Sequence, residues 1–392
     1  MAELDQPQRT VIMLGAGASA ASKYALPVMY GFFDPDCGTP ISEQLSSGLC
    51  RIYGDVDIRR INVEDVFGHL DMAAHYRDYA ETKTLLDTAY LEALRIELER
   101  YVAQRLEIPH PEPTMPGFPR QDMYVAPEET DLCHRALFQS HLNPALDGGY
   151  RSTVITTNYD LVADYALRAL EKEVWPTSSR AFRMEKLSGV RGRISLSELP
   201  SGNADPVGDA GWYLKLHGSL EWFYCPNEDC AKRAECFSAI FDTEWGLGFN
   251  ALPEHFHPEL TCICGAHWRQ LIVPPTMAKD YRKYPTLETQ WRLAVRHLQE
   301  ANRIVIVGLS FAPSDVRLTW LMRHGLRWFG DRTIDVVYRK GRHDPADPQE
   351  HSVVRRVRDF VPNANVNAYG EGFASYLVDT GAVDHHAVDG LL

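Results

Sequence analysis

The sequence lacks the features that would send a protein into or across a membrane. No uninterrupted apolar run approaches the roughly 20 residues that a helix needs to span a bilayer. Residues 1–9 are polar and acidic, without the apolar segment of a signal peptide. We therefore expect a cytoplasmic protein that has no membrane partner.

The sequence also has fewer basic than acidic residues. The 392 residues include 53 acidic and 40 basic ones, which gives a formal net charge of −13. Direct binding of nucleic acid by the whole surface is therefore not expected. Two arginine-rich stretches, Arg339-Lys-Gly-Arg342 and Arg355-Arg356-Val-Arg358, leave a local polyanion site open. A solvated basic face is the preferred interpretation of both.

The dinucleotide fingerprint of dehydrogenases is incomplete. A predicted strand, Thr10-Val-Ile-Met-Leu14, leads directly into Gly15-Ala-Gly-Ala-Ser19, whose glycines would allow a tight turn and close approach to a pyrophosphate. Ala20 stands where the third glycine belongs, and Asp34 and Asp36 lie in a loop rather than at the end of a second strand. The turn therefore suits a nucleotide diphosphate without the usual arrangement for hydride transfer.

The stretch around which the chain is organised is Ser152-Thr-Val-Ile-Thr-Thr-Asn-Tyr-Asp160. Its first half predicts a buried strand, and Thr157, Asn158 and Asp160 follow the carboxyl end of that strand. Parallel α/β sheets bind ligands at this edge. A second strand, residues 212–216, ends at Lys215-Leu-His-Gly-Ser219 and is expected to bring His217 to the same place.

Strands and helices are predicted to alternate along most of the chain. Further strands are expected at residues 270–274, 303–308, 333–338 and 365–369, and helices at 161–173, 287–301 and 316–329. This alternation predicts an α/β fold, a Rossmann-like doubly wound parallel sheet with helices on both faces. We assign residues 1–392 to one domain, with a helical insertion at 41–145 and a cysteine-rich module at 222–270.

Five of the eight cysteines fall within residues 225–264. In a reducing compartment such a cluster favours metal binding over disulfides. Two pairs, Cys225 with Cys230 and Cys262 with Cys264, could supply the four ligands of a structural zinc site. Reduced, merely buried cysteines are the alternative, and there are further candidate ligands: Cys236, His255, His257 and His267.

Taken in order, these motifs resemble those of the sirtuins. The glycine turn, Thr156-Thr-Asn-Tyr-Asp160, Leu216-His-Gly-Ser219, the four cysteines and Gly308-Leu-Ser310 occur in the sirtuin order. In detail the chain is most similar to the sirtuin-like NAD hydrolases of prokaryotic antiphage defence. The likeness extends over residues 11–338 and includes the helical segment containing Val63-Glu-Asp-Val66.

The resemblance implies an enzyme that uses NAD as its substrate. Asn158 and His217 would be the catalytic residues, with Asn158 holding a ribose hydroxyl or water and His217 acting as a base. Singly, Asn158 and Asp160 could instead cap a turn, and His217 could be a packed core residue. The dinucleotide would be bound by Gly15, Ala16, Gly17, Ala18, Ser19, Thr157, Asp160, Gly308, Ser310 and Asp315.

Departures from the protein-deacylating sirtuins favour hydrolysis. Those enzymes carry Gln where this chain has Thr157, and they clamp a peptide with a loop that here contains Pro274 and Pro275, which cannot donate backbone hydrogen bonds. An arginine expected after the glycine turn is absent from residues 25–29. Water is then the expected acceptor. The retained cysteine module keeps protein deacylation as one alternative, and a catalytically silent NAD or ADP-ribose sensor is another.

Defence enzymes of this kind need control, because unrestrained loss of NAD kills the host. Residues 370–392, after the last predicted strand, are too few for a sensing domain. We therefore expect activation by a partner protein in trans or by assembly into a homo-oligomer. By analogy, the partner would be a ring-forming DNA-translocase-type ATPase or an Argonaute-like protein.

Overall fold

A computed structural model of the chain describes residues 9–76, 88–108, 130–141, 152–174, 211–230, 236–238, 262–273, 285–327, 330–341 and 344–383. Within these residues the strands are β1 Thr10–Leu14, β2 Ser152–Thr156, β3 Gly211–Lys215, β4 Gly218–Tyr224, β5 Cys236–Ser238, β6 Arg269–Ile272, β7 Arg303–Val307, β8 Thr333–Val337 and β9 Asn365–Tyr369. The helices are α1 Ala16–Ala20, α2 Glu43–Tyr53, α3 Val63–Tyr76, α4 Thr88–Arg105, α5 Leu132–His141, α6 Val162–Val174, α7 Pro285–Glu300, α8 Val316–Gly325, α9 Ser352–Phe360 and α10 Phe373–Asp379.

Six of the strands form one parallel sheet in the order β3-β2-β1-β7-β8-β9. This is the strand order of a doubly wound Rossmann-type sheet, so the predicted fold class is confirmed. The chain turns from one half of the sheet to the other between β1 and β7. Ligands bind such sheets at this switch point, beyond the carboxyl ends of the strands.

Both faces of the sheet are covered, as predicted. Alternate residues of each strand point to opposite faces, so Ile12 and Leu14 of β1 join one apolar cluster while Val11 and Met13 join the other. The first cluster includes residues of α2 to α6 and α10, and the second includes residues of α7, α8 and α9. Continuous runs of buried apolar residues in the strands are what a sheet covered on both sides requires.

Three strands form a separate antiparallel sheet in the order β5-β4-β6. The prediction that residues 270–274 continue the parallel sheet is therefore wrong, because β6 pairs with β4. An apolar run such as Leu271-Ile272 shows burial but not which strand is its neighbour. Gly218 has a φ of +91°, and a Cβ there would lie 1.9 Å from the carbonyl oxygen of Leu271. Only glycine fits where the two strands start to pair.

Helix α3 begins after a residue that caps it. The side-chain oxygen of Asn62 accepts a hydrogen bond of 2.8 Å from the backbone N–H of Glu64, which satisfies a donor of the first turn. The helix predicted at residues 316–329 instead ends at Gly325, whose position is tightly packed against Leu298 of α7.

Among the described residues, no helix is both long enough and apolar enough to cross a bilayer.

Several predictions concern residues outside the described ranges. The sequence predicts a proline-rich loop at residues 109–127, which is outside, and a polar excursion at residues 177–211, of which only Gly211 is described. Pro274 and Pro275 of the peptide-clamp comparison are outside as well. The assignment of the whole chain to one domain with two insertions stays a prediction. Helices α2, α3 and α4 of the expected helical insertion pack together, whereas α5 packs on α6 and α10 beside the sheet.

Candidate active site

A cavity of about 420 Å³ lies at the switch point of the parallel sheet. It is bounded by the ends of β1, β2, β3 and β7 and by the first turns of α3 and α8. The residues predicted from sequence that line it are Ala16, Gly17, Ser19, Thr157, Asn158, Asp160, His217, Gly308, Ser310 and Asp315. Four stretches that are far apart in the sequence therefore meet at one site.

The glycine turn packs directly against the end of β7. The N–H of Gly15 donates to the carbonyl of Val307 at 3.0 Å, and that of Gly17 donates to Gly308 at 2.9 Å. A Cβ on Gly17 would lie 2.8 Å from the Cα of Gly308, and Gly308 itself has a φ of +63°. Contact between two backbone segments thus accounts for these glycines. Ala18 is wholly buried in the core and does not line the cavity.

Asn158 is held by its amide nitrogen. Nδ2 lies 3.0 Å from the carbonyl oxygen of Gly15 and 2.9 Å from Oγ of Ser19. Because a backbone carbonyl can only accept a hydrogen bond, the nitrogen must face Gly15, and both amide hydrogens have partners. The backbone N–H of Asn158 bonds to Oγ1 of Thr156 at 3.0 Å. The residue therefore presents Oδ1, an acceptor, for further contacts.

Asp160 is almost wholly buried beside Asn158. Burial raises the pKa of its carboxyl group, while Lys215 and hydrogen bonds from Ser19 and the backbone of Val162 act in the opposite direction. The N–H of Val162 lies 3.1 Å from Oδ1, so the carboxylate also caps the start of α6. Asp160 therefore caps a turn, as one prediction had it, and it also lines the cavity, while its contact with a dinucleotide stays a prediction.

Lys215 fixes the loop that follows β2. Its buried Nζ donates to the backbone carbonyl of Asp160 at 2.7 Å and to Oδ2 of Asp164 at 2.8 Å. Tyr213 donates to the same Asp164 oxygen at 2.9 Å. The sequence shows Lys215 only as part of a strand and a motif. Its role in fixing the loop after β2 could be seen only once β2 and β3 were known to be neighbours.

His217 lies where the chain leaves the parallel sheet for the small antiparallel one. Its side chain is 3% exposed, and Nε2 lies 3.2 Å from Oδ2 of Asp315. The ring is flanked by Tyr159 and Trp291, at centroid distances of 6.3 and 6.0 Å. A buried carboxylate next to an imidazole orients the ring and stabilises its protonated form. Because Nε2 faces Asp315, the ring nitrogen that could take a proton from a bound hydroxyl or water is Nδ1.

The loop after β7 forms another wall. Phe311 has a φ of +53°, which is uncommon for a bulky residue and strained when it occurs. Arg356 of α9 donates to the carbonyls of Ser310 and Phe311 at 2.8 and 2.9 Å and so holds this conformation. One arginine of the predicted basic face is thus hydrogen-bonded to the backbone of the loop that lines the cavity.

Sequence reasoning missed the apolar side of the cavity. It is formed by a segment that precedes α2, and by residues at the helical spacing of α3 and α4, which is typical of core packing: Pro27, Val28, Met29, Tyr30, Phe32, Val63, Phe67, Val102 and Leu106. Most are indeed buried in the core, and the same helical faces also reach the cavity. The helical segment therefore contributes to the site. The periodicity of apolar residues in the sequence cannot distinguish side chains that pack in the core from side chains that line a cavity.

The four predicted cysteine ligands meet at one end of the antiparallel sheet. The sulfur atoms of Cys225, Cys230, Cys262 and Cys264 all lie within 4.8 Å of one another. Two of the separations, Cys225 to Cys264 and Cys230 to Cys262, are 3.6 Å. Tetrahedral zinc at about 2.3 Å from each thiolate needs sulfur atoms about 3.8 Å apart. These residues could therefore bind zinc.

The local backbone suits a metal-binding turn. The N–H of Cys262 bonds to the carbonyl of Ala266 at 2.8 Å, and Gly265, with a φ of +84°, closes the turn. The N–H of Ala266 lowers the pKa of the Cys264 thiol to about 6, whereas burial raises that of Cys225 to about 12. Of the alternative ligands, His267 lies outside the cluster. The side chains of Cys236, His255 and His257 lie outside the described residues.

Comparison with known proteins found similarity only among solved structures. No family model and no curated protein matches the chain. A Sir2 homologue in complex with NAD is 16% identical, with 98% of this chain and 91% of that one covered and a TM-score of 0.41. A Sir2 homologue mutant with ADP-ribose is 15% identical, with 98% and 93% covered and a TM-score of 0.42. Sir2Tm bound to a propionylated peptide is 14% identical, with 97% and 96% covered and a TM-score of 0.39.

Proposed function

We propose that this protein is an NAD hydrolase that cleaves the nicotinamide–ribose bond to give ADP-ribose and nicotinamide. The observation that carries the proposal is the meeting of Asn158, Asp160 and the His217–Asp315 pair in one cavity beside the glycine turn. Asn158, Asp160 and the His217–Asp315 pair offer hydrogen-bonding and charged groups that suit the hydroxyls of a ribose, and none of them is redox-active. The resemblance of their motifs, in order, to the sirtuin-like NAD hydrolases supports the same assignment.

Cleavage of the nicotinamide–ribose bond needs no general acid to protonate the leaving group. When the glycosidic bond breaks, its electron pair stays on the nicotinamide nitrogen, so the ring leaves neutral and positive charge develops on the ribose. A water oxygen then bonds to the anomeric carbon and gives up a proton. His217 is the candidate acceptor of that proton, and the carboxylate of Asp315 stabilises the imidazolium that results.

Orientation of the ribose falls to the loop after β2. Asn158 is fixed through both amide hydrogens, so its free Oδ1 can accept a hydrogen bond from a ribose hydroxyl or from the attacking water. Preorganised contacts of this kind lower the barrier because the enzyme does not rearrange during the reaction. Asp160 would hold the ribose or favour the developing positive charge.

The zinc site has a structural part in this proposal. Four thiolates would complete the coordination of the ion, which leaves no open position for substrate. We further infer that the hydrolase serves antiphage defence in the cytoplasm and is restrained until a partner protein or homo-oligomer formation activates it. The defence context and the ATPase or Argonaute-like partner depend on the resemblance alone.

The test is nicotinamide release from NAD by the purified protein, followed by chromatography, with and without candidate activators. Asn158→Ala and His217→Ala should each abolish turnover while the far-ultraviolet circular dichroism and melting temperature stay close to the native values. Asn365→Ala and His324→Ala, at exposed positions on β9 and α8, are the matched controls and should retain activity. Full turnover in both site variants would reject the proposed site.

A sirtuin-type protein deacylase is the second candidate, and the four-cysteine cluster beside the antiparallel sheet favours it. The two activities differ in their acceptor. A deacylase would release nicotinamide only when an acyl-lysine peptide is present, whereas the hydrolase would release it with water alone. A silent sensor would bind NAD or ADP-ribose in calorimetry and release no nicotinamide under any activating condition.

A further inference from the structure

The loop after β7 offers backbone donors to the cavity. Ser310, Phe311 and Ala312 line the cavity, and none of the described residues that line it is lysine or arginine. The negative charge of a ligand must therefore be met there by other donors, of which backbone N–H groups are the most common. Within the described part of the chain, the backbone N–H groups of residues 309–312 have no hydrogen-bond partner.

Arg356 of α9 binds the opposite ends of two of these peptide groups. Its Nη1 donates to the carbonyl oxygen of Ser310 at 2.8 Å and to that of Phe311 at 2.9 Å. Both peptide bonds are trans, so the N–H of each points away from its C=O. The N–H groups of Phe311 and Ala312 therefore point away from Arg356, which does not line the cavity, and towards the cavity that their residues line.

The loop needs to be held in this conformation. Phe311 has a φ of +53°, which is unfavourable for a bulky residue and persists only when the surroundings enforce it. Two side chains on successive turns of α9 do so. Arg356 binds the carbonyls, and the ring of Phe360 packs edge-on against that of Phe311 at a centroid distance of 5.5 Å. Strain of this kind is typical of loops that bind ligands.

A solvated basic face does not account for Arg356. Its neighbour Arg355 is exposed, as that prediction requires, whereas Arg356 is half-buried and uses one nitrogen to bind two carbonyls 46 and 45 residues away. Hydrogen bonds from a charged donor are stronger than neutral ones. They also polarise the peptide groups, so the N–H ends that face the cavity become better donors to an anion.

The sheet order shows which part of a dinucleotide would meet this loop. Asn158 and His217 follow β2 and β3, whereas the loop follows β7, on the other side of β1. Dinucleotides span the switch point of such sheets. With its reacting ribose at Asn158, NAD would extend across β1 towards β7, and its two phosphates come directly after that ribose. They are also the only anionic groups of NAD.

We propose that Arg356 is a positioning residue that holds the backbone of residues 310–312 so that two N–H groups bind a phosphate of the dinucleotide. The identity of this ligand rests on the proposed NAD-cleaving function. Arg356 itself neither contacts the ligand nor transfers a proton. The phosphates do not react, so their contacts are the same before and after the glycosidic bond breaks. Arg356 therefore contributes to substrate binding and little to the chemical step.

Calorimetry with ADP-ribose tests this without any need for turnover, because ADP-ribose keeps both phosphates. In Arg356→Gln, which loses the charge and the double donor, we expect the Kd to rise about 10-fold. Arg356→Lys keeps the charge and the donors and should stay within about threefold of the native Kd. Arg355→Gln removes the same charge from the adjacent exposed position and should change the Kd less than about twofold. Because both arginines lie on the outside of α9, melting temperatures should stay close to the native value.

Steady-state kinetics with NAD give a second readout. Arg356→Gln should raise KM about 10-fold and leave kcat within about threefold, since it removes binding that substrate and transition state share. A residue that only maintained the fold would lower the amount of active enzyme, and so kcat, without changing KM.

Native affinity for ADP-ribose in Arg356→Gln would overturn the proposal. Equal losses in Arg356→Gln and Arg355→Gln would do the same, because overall charge would then explain the effect. A fall in kcat at unchanged KM would also reject it. If ADP-ribose binding depends on Arg356 but the native protein never releases nicotinamide, the hydrolase function fails and this proposal stands. Binding of neither NAD nor ADP-ribose overturns both.

Discussion

Asp315 contacts His217 with one carboxylate oxygen and starts helix α8 with the other. Oδ2 lies 3.2 Å from Nε2 of His217, and Oδ1 accepts a hydrogen bond of 3.2 Å from the backbone N–H of Leu318. Both side chains are almost completely buried. The helix therefore fixes the carboxylate, and the carboxylate in turn fixes the orientation of the imidazole. This coupling makes the pair a sensitive test of the proposed base.

Asp315→Asn should separate the two roles of this residue. Asparagine caps a helix about as well as aspartate, so we expect the free energy of unfolding to change by no more than about 1 kcal/mol. The neutral amide cannot stabilise an imidazolium, so the rate of nicotinamide release should fall about 100-fold or more. Chemical denaturation and a steady-state NAD assay measure the two effects.

Asp347→Asn is the matched control for the cap. Asp347 also caps a short helical turn, through a hydrogen bond of 2.9 Å from the N–H of Gln349, and it is exposed and does not line the cavity. Its substitution should leave turnover unchanged. Native activity in Asp315→Asn would show that His217 does not need this carboxylate and would remove it from the mechanism.

Removal of one cysteine ligand should release zinc. We expect one zinc per native chain by elemental mass spectrometry and essentially none in Cys230→Ser, because a hydroxyl is a poor substitute for a thiolate in a four-sulfur site. Metal binding contributes directly to folding, so the variant should also lose about 3 kcal/mol or more of stability. The loss should be measured by thermal and denaturant unfolding.

Cys50→Ser controls for the loss of a thiol as such. Cys50 is an exposed cysteine on α2 and lies outside the cluster. Its variant should keep the full zinc content and the native melting temperature. A native protein purified without any metal, and indifferent to a chelator, would favour the other interpretation, in which the four cysteines are reduced and merely packed.

The alternation of apolar strands and helices was enough to predict the fold. Runs such as Arg303-Ile-Val-Ile-Val307 are readable because a strand covered on both faces has no polar alternation. The meeting of Asn158 and His217 was also predictable, since both follow strands whose carboxyl ends must lie at one edge of a parallel sheet. The cysteine cluster was predictable on a different ground, because two close pairs of cysteines fall within one short stretch of the sequence.

The sequence could not show which strands pair with each other, nor which side chains of an ordinary helix also contact the cavity wall. Nothing in the residues of β6 says that its partner is β4 rather than a parallel neighbour. The sequence around Glu64 does not show that its side chain is buried near Ser314, which lies 250 residues further along the chain. Arg356 looked like part of a solvated face, although it binds two carbonyls of the cavity wall. Such contacts come from packing at long sequence separation.

Stability should depend on pH through His141, at the end of α5. Burial lowers the pKa of His141 from 6.5 to about 4, and the charge of Arg303 acts in the same direction. Between these values the unfolded chain binds a proton that the folded chain does not, so the fold loses stability as the pH falls. The loss amounts to about 1.4 kcal/mol per pH unit, or about 3 kcal/mol between pH 6.5 and pH 4. Below about pH 4 both states are protonated and this contribution stops changing.

His141→Gln should reduce that slope by up to one proton. Nε2 of His141 lies 3.2 Å from the hydroxyl of Tyr376, and a glutamine amide can replace that contact without titrating. Urea unfolding of both proteins from pH 4 to pH 8 gives the comparison. Above pH 7 the two stability curves should run parallel, because histidine is then neutral in both folded and unfolded chains. Curves that remain parallel down to pH 4 would contradict the assignment of acid sensitivity to this residue.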